Sequence, residues 1–515
     1  MIRTLARLTI CIAVALSLTA AGASDWPQWG RDGSRNMVAP SKKGRAVPAT
    51  FDPGEMPDDT DKVLMPKGSK AAESLRWVAK LGSQSYGNPT IADGRVYIGT
   101  NNASPRDPKY KGDYSMVMAF AELSGEFLWQ LAVPKLGAGK VSDWEYLGIC
   151  SSPAVSGKVA YVISSRGEVL ALDVEGMANG NQGFQDEAQY VAGPGKPPIA
   201  QGPRDGDILW KYDMRKDLGV FPHNVTSSSV LIVGSKIVVA TSNGVDWSHK
   251  NIPAPFSPSL VVLDREKGTL LAEEASGISE RLLHAGWSSP ARATIKGKDA
   301  ILYGAGDGLL YAFSAKPKVD DEGLKVIPEL WRVDMNPERY RVRDGKPRPY
   351  GRRDGPSEII ATPVVHKGHV CVPIGQDPEH GTGAGAVTCV RLKDGKVRWQ
   401  NTSVGRSIST VAIHDGIVFA SDLAGVLYAI DFQTGKDLWK HDTGARLWSS
   451  PVVADGKVFI GNEDGTLVVL AATRDKKPLG EVVMHAPVYG SVVVAGDTLY
   501  VPTQSHLYAV RGSQP

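Results

Sequence analysis

From about residue 75 onward, apolar and polar positions alternate in short runs, and the runs recur as sets. The clearest set is STVAIHDGIVFASDLAGVLYAIDFQTGKDLW (409–439), followed at once by SSPVVADGKVFIGNEDGTLVVLAA (449–472). Each set opens on Ser or Pro and runs through an apolar strand, a D-G turn, a second strand, a Gly-bearing loop and a third strand. A T-G turn and a fourth strand ending in Leu-Trp follow. The period-two alternation in KVFIG (457–461) and VLYAID (426–431) suits strands with two distinct faces. Asp93-Gly94, Asp415-Gly416 and Asp455-Gly456 suit two-residue hairpins, whose central residues both take positive φ. Self-similarity at this period means a repeat architecture and overrides any domain count taken from length. Eight repeats begin near Tyr86, Gly148, Val225, Trp287, Ile359, Ser409, Ser449 and Val488. The last stops after three strands, and SLRWVAKL (74–81) is an orphan fourth strand ahead of the first. Joining the two gives the expected fold: an all-β, eight-bladed β-propeller of four-stranded antiparallel blades. The N-terminal strand completes the last blade and leaves no free inner edge.

Six Trp residues (Trp77, Trp129, Trp210, Trp331, Trp399 and Trp439) end fourth strands and are expected to pack between adjacent blades. Gly 56 and Pro 34 match the many tight turns. Ahead of the propeller (74–512), residues 24–73 read as a surface-draped or partly disordered extension, from their Pro, Gly, Asp and Lys content. Residues 1–23 read as a signal peptide: Arg3 and Arg7, an apolar run from Leu8 to Leu18, and Ala21-Gly22-Ala23 as the cleavage site. The run is too short to span a membrane, so the protein is expected to be exported, periplasmic or secreted. The formal charge of +3 includes Arg3 and Arg7, so the processed chain is close to neutral and offers no electrostatic case for nucleic acid. Export permits disulfides. Strand counting, however, places Cys371 and Cys389 on opposite faces of one blade, which argues against a bridge. There is no C-x-x-C-H and no C-x-x-C. The run G-T-G-A-G-A-G from Gly381 opens no helix after a strand and is not a phosphate loop.

The D-G and T-G turns fall on one face of the ring; the second-to-third-strand loops and the blade-to-blade links fall on the other. That second face carries long, polar, aromatic-rich loops, including TNNASPRDPKYKGDYS (100–115), SNGVDWSHKNIPAPFSP (242–258) and GQDPEHGTGAG (375–385). Its candidate binding residues are Glu145, His223, Asn243, Asp246, Trp247, His249, His284, Trp287, Asp377, His380, Arg406 and Trp448, with Trp144, His485 and His506 on the same face. Polar groups and flat apolar rings converging at one end of a rigid scaffold are what a ligand site needs. Asp246 and His284 could form an acid/base pair, and Glu145, Asp377 or Glu379 could hold a cation. On the turn face, residues 174–207 read as a long flexible excursion.

AIDFQTGKDLW (429–439) and, more loosely, AFAELSGEFLW (119–129) resemble the PQQ-type propeller repeat A-x-D-x-x-T-G-x-x-x-W. The resemblance covers about residues 75–512. It extends both to the quinoprotein alcohol dehydrogenase-like group and to BamB-like, non-enzymatic assembly proteins. DWPQWGRDGSRNM near the start is similar to a group of exported bacterial proteins with the same repeats. For the dehydrogenases, the resemblance implies PQQ held with Ca²⁺ by a Glu and an Asn, and an Asp as base. Asn243, in SNGVDW, matches the Asn ligand. LLHAGWSSP (282–290) has no carboxylate for the base, and Glu168 falls one position past the Gly of SSRGEVLAL, so the ligand set is incomplete. The expectation is therefore a scaffold that binds a small molecule or a protein through its loop-rich face. The alternative is a PQQ-dependent alcohol dehydrogenase with an atypical site.

Overall fold

Eight antiparallel sheets of four consecutive strands are arranged as the blades of a closed propeller. The computed structural model describes residues 25–40, 46–57, 60–68, 70–137, 139, 142–351, 353–379 and 381–512. The expected signal segment 1–23 and His380 lie outside these residues. Strand Leu75–Lys80 pairs antiparallel with His506–Arg511, Lys80 opposite His506 and Val78 opposite Tyr508, so the chain's first blade strand closes its last blade. Blade 3 alone is wider. The hairpin Lys318–Val319 and Lys325–Val326, inserted in blade 4, reaches across and pairs Val326 with Glu273 on the outer strand of blade 3.

The T-G and Trp signatures have one physical explanation. In most blades that end in Trp, the ring lies on a turn glycine of the next blade. A Cβ on Gly125 would meet the Trp77 ring at 2.5 Å, one on Gly268 would meet Trp210 at 2.4 Å, and one on Gly435 would meet Trp399 at 2.6 Å. These glycines also sit at positive φ, between 67° and 73°, so any side chain there is both strained and blocked. The indole N–H then donates to a neighbouring-blade carbonyl, as Trp129 Nε1 does to Val174 O at 2.9 Å and Trp399 Nε1 to Phe432 O at 2.9 Å. The Ser/Thr that opens each repeat joins the blades around the axis. Ser229 Oγ accepts from Ser152 N, Ser289 Oγ from Ser229 N, and Ser450 Oγ from Thr410 N, at 2.9–3.0 Å.

Three expectations need correction. Residues 26–39 do not drape over the surface; they cross the channel. Trp26, Arg35 and Met37 have no exposure, and the segment meets one blade after another. Trp26 bridges Ile91, Pro27 O accepts from Val155 N, Gly33 O from Arg292 N, Ser34 O from Val365 N, and Met37 O from Val453 N. Composition misled because this segment is held by backbone hydrogen bonds to successive blades and by isolated buried side chains such as Trp26, Arg35 and Met37, not by a periodic apolar stripe. The excursion 174–207 is packed, not flexible: helix Glu187–Ala192 buries Val191 and Ala192, and Tyr190 Oη donates to Glu168 Oε2 at 2.8 Å. Finally, Cys371 lies directly opposite Cys389, and opposed residues on antiparallel strands share a face. Both are buried free thiols.

Two histidines clasp Gly54 and Asp61 against the closing blade: His485 Nε2 against Gly54 O at 3.1 Å and His506 Nε2 against Asp61 O at 2.8 Å. Burial, helped by Lys80, lowers the His506 imidazole from 6.5 to about 4. Between these values the unfolded chain binds the proton and the folded one does not. This contribution to stability is therefore complete above pH 6.5 and is lost as the pH falls toward 4. Thermal midpoints of the wild type are expected to drop across that interval, and the drop should be smaller in His506→Gln. Parallel melting curves for the two proteins would exclude His506 as the acid-labile clasp.

Candidate functional site

The loop-rich face opens into a cavity of about 480 Å³ on the propeller axis, within the range of small-molecule sites. Its floor is Trp29 of the crossing segment, held by its Nε1 donating to Thr362 Oγ1 at 2.9 Å. One wall is an aromatic trio. Tyr86 stacks on Tyr489 with centroids 5.1 Å apart, and Trp448 meets Tyr489 edge-on at 5.5 Å. Trp144 and Trp287 add further aromatic surface, and Asp377 and Glu379 supply carboxylates. Cys150 also lines the cavity, but burial pushes its thiol up to about 12, so it is protonated at neutral pH and is no nucleophile.

Beside the cavity three loops converge. Asn243 and Gly244 lie between two neighbours: Pro222 bridges Asn243 on one side and Ala285 bridges Gly244 on the other. Gly244 N donates to Phe221 O at 2.9 Å and Val245 N to His284 O at 2.9 Å. Glycine is required at 244 because a Cβ would meet His223 Cβ at 2.5 Å and Ala285 Cβ at 2.9 Å. This small sheet sets His223 and His284 side by side, ring centroids 4.5 Å apart. His249, at the end of the next turn, completes a triangle at 5.0 and 5.1 Å from the other two.

Asp246 builds the turn that carries His249. Its Oδ1 accepts from Ser248 N at 3.0 Å and Ser248 Oγ at 2.6 Å, and its Oδ2 from Asn251 Nδ2 at 2.8 Å. These bonds, Ser248's first, hold its carboxyl well below the ordinary range. The carboxylate facing His284 is instead Glu358, with Oε1 3.9 Å from Nδ1. Tyr350 stands between them, 3.0 Å from His284 Nδ1 and donating to Glu358 Oε1 at 2.9 Å. Burial raises Glu358 to about 8. Neither Tyr350 nor Glu358 is marked by any spacing in the sequence. Both belong to the approach to blade 5, which meets His284 of the blade-4 opening loop.

The other candidates divide between the two places. Trp287 belongs to both: it lines the cavity, touches His284 at 4.9 Å and donates Nε1 to Val225 O at 3.0 Å. Trp448 and Asp377 line the cavity, and Arg406 reaches Asp377 O at 3.2 Å. Glu145 is exposed and outside the cavity, although its neighbour Trp144 lines it, and Trp247 is 68% exposed.

The family model described as outer membrane protein assembly factor BamB matches residues 67–190 and 328–472. The chain belongs to this BamB family. No curated protein matches it significantly. Among solved structures, BamB from Moraxella catarrhalis is 14% identical over 85% of this chain and 97% of its own, with a TM-score of 0.52. A europium-containing methanol dehydrogenase is 11% identical over 95% and 98%, with a TM-score of 0.59. The quinohemoprotein alcohol dehydrogenase ADHIIG from Pseudomonas putida HK5 is 12% identical over 96% and 81%, at 0.57. At such identities the likeness is one of fold, and function must be argued from the site.

Among the described residues, the positions that the resemblance assigns to a PQQ–Ca²⁺ centre are committed to other partners, whereas such a centre needs several hard oxygen ligands around the ion. Asn243 is 1% exposed, and its amide is a clamp between loops. Oδ1 accepts from Phe221 N at 2.9 Å, and Nδ2 donates to Ala254 O at 2.8 Å and Ser279 Oγ at 3.0 Å. Glu168 is turned toward Tyr190 and Ser164. The blade-4 opening loop brings His284 rather than a carboxylate. No described helix is long and apolar enough to cross a membrane.

Proposed function

We propose that this protein is an exported binding module without redox chemistry, whose axial cavity takes a small polar ligand with a flat apolar face. The observation that carries this reading is the cavity itself. Tyr86, Trp448 and Tyr489 offer a rigid aromatic wall, and the Ser/Thr openings of the blades supply a hydroxyl-lined interior. Aromatic surface with few, placed polar groups is how a binding site gains area and orientation together. The carboxylates of Asp377 and Glu379 favour a neutral or cationic ligand over an anionic one. Export rests on the apolar run Leu8–Leu18 behind Arg3 and Arg7.

The test is a thermal-unfolding titration against saccharides, aromatic amines and PQQ with and without Ca²⁺. A ligand bound only by the folded state raises the melting temperature by mass action. A saccharide or amine is expected to raise it in the wild type and not in Trp448→Ala. A Ca²⁺-dependent rise with PQQ would refute this reading and establish the quinoprotein alternative.

A further inference from the structure

We infer that His223, His249 and His284 form a binding site for one late first-row divalent metal ion, of which Zn²⁺ is the representative. The inference goes beyond the axial cavity and does not depend on a ligand binding there. It begins with convergence: three imidazoles from three successive loops bring their ligating nitrogens within 4.8 Å of one another. Among the described residues no other group of three His, Cys, Asp or Glu does so.

The surroundings determine which nitrogen each buried ring presents. His223 Nδ1 lies 2.6 Å from Val245 O, and a carbonyl can only accept, so Nδ1 carries the proton and Nε2 the lone pair. Tyr350 donates its hydroxyl proton to Glu358 Oε1, so its oxygen is the acceptor for His284 Nδ1, and Nε2 is again the basic nitrogen. A ligating imidazole whose other nitrogen donates to a carboxylate, a backbone carbonyl or water is the standard outer sphere of a histidine metal site. His223 has the carbonyl of Val245, and on His284 the Tyr350 hydroxyl takes the place of the water. His223 and His284 have 1% and 0% exposure and are fixed by the small sheet around Gly244, whereas His249 is partly exposed at the end of the Asp246 turn.

Metal chemistry follows from the donors. Imidazole nitrogen suits Zn²⁺, Cu²⁺, Ni²⁺ and Co²⁺, while Ca²⁺ and Mg²⁺ require oxygen. Zn–N bonds of about 2.0–2.1 Å place tetrahedral ligands about 3.3 Å apart. The ligating nitrogens, no more than 4.8 Å apart, therefore lie within about 1.5 Å of the spacing that a bound ion imposes. Three protein ligands leave a tetrahedral ion one position for water or another ligand.

The experiment uses the whole protein, freed of metal by chelation and titrated with Zn²⁺ and separately with Co²⁺. Expected are one saturable equivalent of each, a rise in melting temperature with Zn²⁺, and intense visible absorption from tetrahedral Co²⁺. His249→Ala, whose loop position leaves the metal-free melting temperature near that of the wild type, should lose more than about 100-fold in affinity. Outer-sphere partners alone are worth about 10–100-fold, and Tyr350→Phe should fall in that lesser range. Absence of saturable binding in the wild type, or equal binding by His249→Ala, would overturn the site.

Discussion

Replacing Trp129 by alanine should cost the ring about 3–5 kcal/mol, the range for deleting a large buried aromatic. Trp129 is 1% exposed and seals the seam between blades 1 and 2. Its face covers Gly176, where a Cβ would come within 2.8 Å of the ring, and it stands 6.1 Å from Tyr97. Truncation leaves a cavity that rigid strands on both sides cannot collapse into. It also removes the N–H donor from Val174 O, whose bond measures 2.9 Å. Denaturant unfolding followed by circular dichroism gives the difference. Trp247→Ala, at a residue 68% exposed, is the control and should change stability by less than about 0.5 kcal/mol. If Trp129→Ala is as mild as the control, blade-to-blade packing is not what the repeated Trp provides.

Arg35→Ala should be nearly as damaging, about 3 kcal/mol, and for a different reason. Arg35 has no exposure, and its guanidinium donates to three carbonyls: Nε to Pro290 O at 2.8 Å, Nη1 to Trp29 O at 2.6 Å and Nη2 to Val230 O at 3.1 Å. One cation therefore ties the crossing segment to itself and to the approaches of blades 3 and 4. Burial lowers its pKa to about 9, so it remains charged at neutral pH. Hydrogen bonds to a charged donor contribute about 1.5–3 kcal/mol each, and removing the donor leaves buried acceptors unsatisfied. Desolvation of the cation offsets part of the total. Arg35→Lys should rescue little, because an ammonium on a flexible stem cannot reproduce the planar fork. Denaturant midpoints for the two variants test this, and full stability in Arg35→Lys would show that charge alone suffices. Since Trp29 floors the axial cavity, both variants should also weaken ligand binding there.

Much of the fold was legible because each blade's geometry is local. The D-G turn, the T-G turn and the alternating strands specify hairpins within one repeat, and the orphan strand at 74–81 announced the closure. The candidate site was legible only as a face. His223, His249 and His284 were each marked by lying on loop-face segments, but nothing in their spacing said that they meet. Asp246 looked like a partner for His284 because both lie on the loop-rich face. In the fold its oxygens complete a turn, and Glu358 from a later blade takes that place. The cysteine pair was misplaced because directly opposed strand residues share a face, whatever their separation along the hairpin.

By itself, then, the sequence determined a closed ring of eight blades and the end at which chemistry can gather. Period, turn residues and apolar alternation act over a few residues and need no distant partner. Only the tertiary structure decided that residues 26–39 occupy the channel, that three histidines from neighbouring blades form one cluster, and that Tyr350 and Glu358 support it. Those outcomes depend on contacts between segments of different blades, from tens of residues apart, as Tyr350 and His284 are, to hundreds, as Asn36 and Ile413 are, which arise when the ring closes.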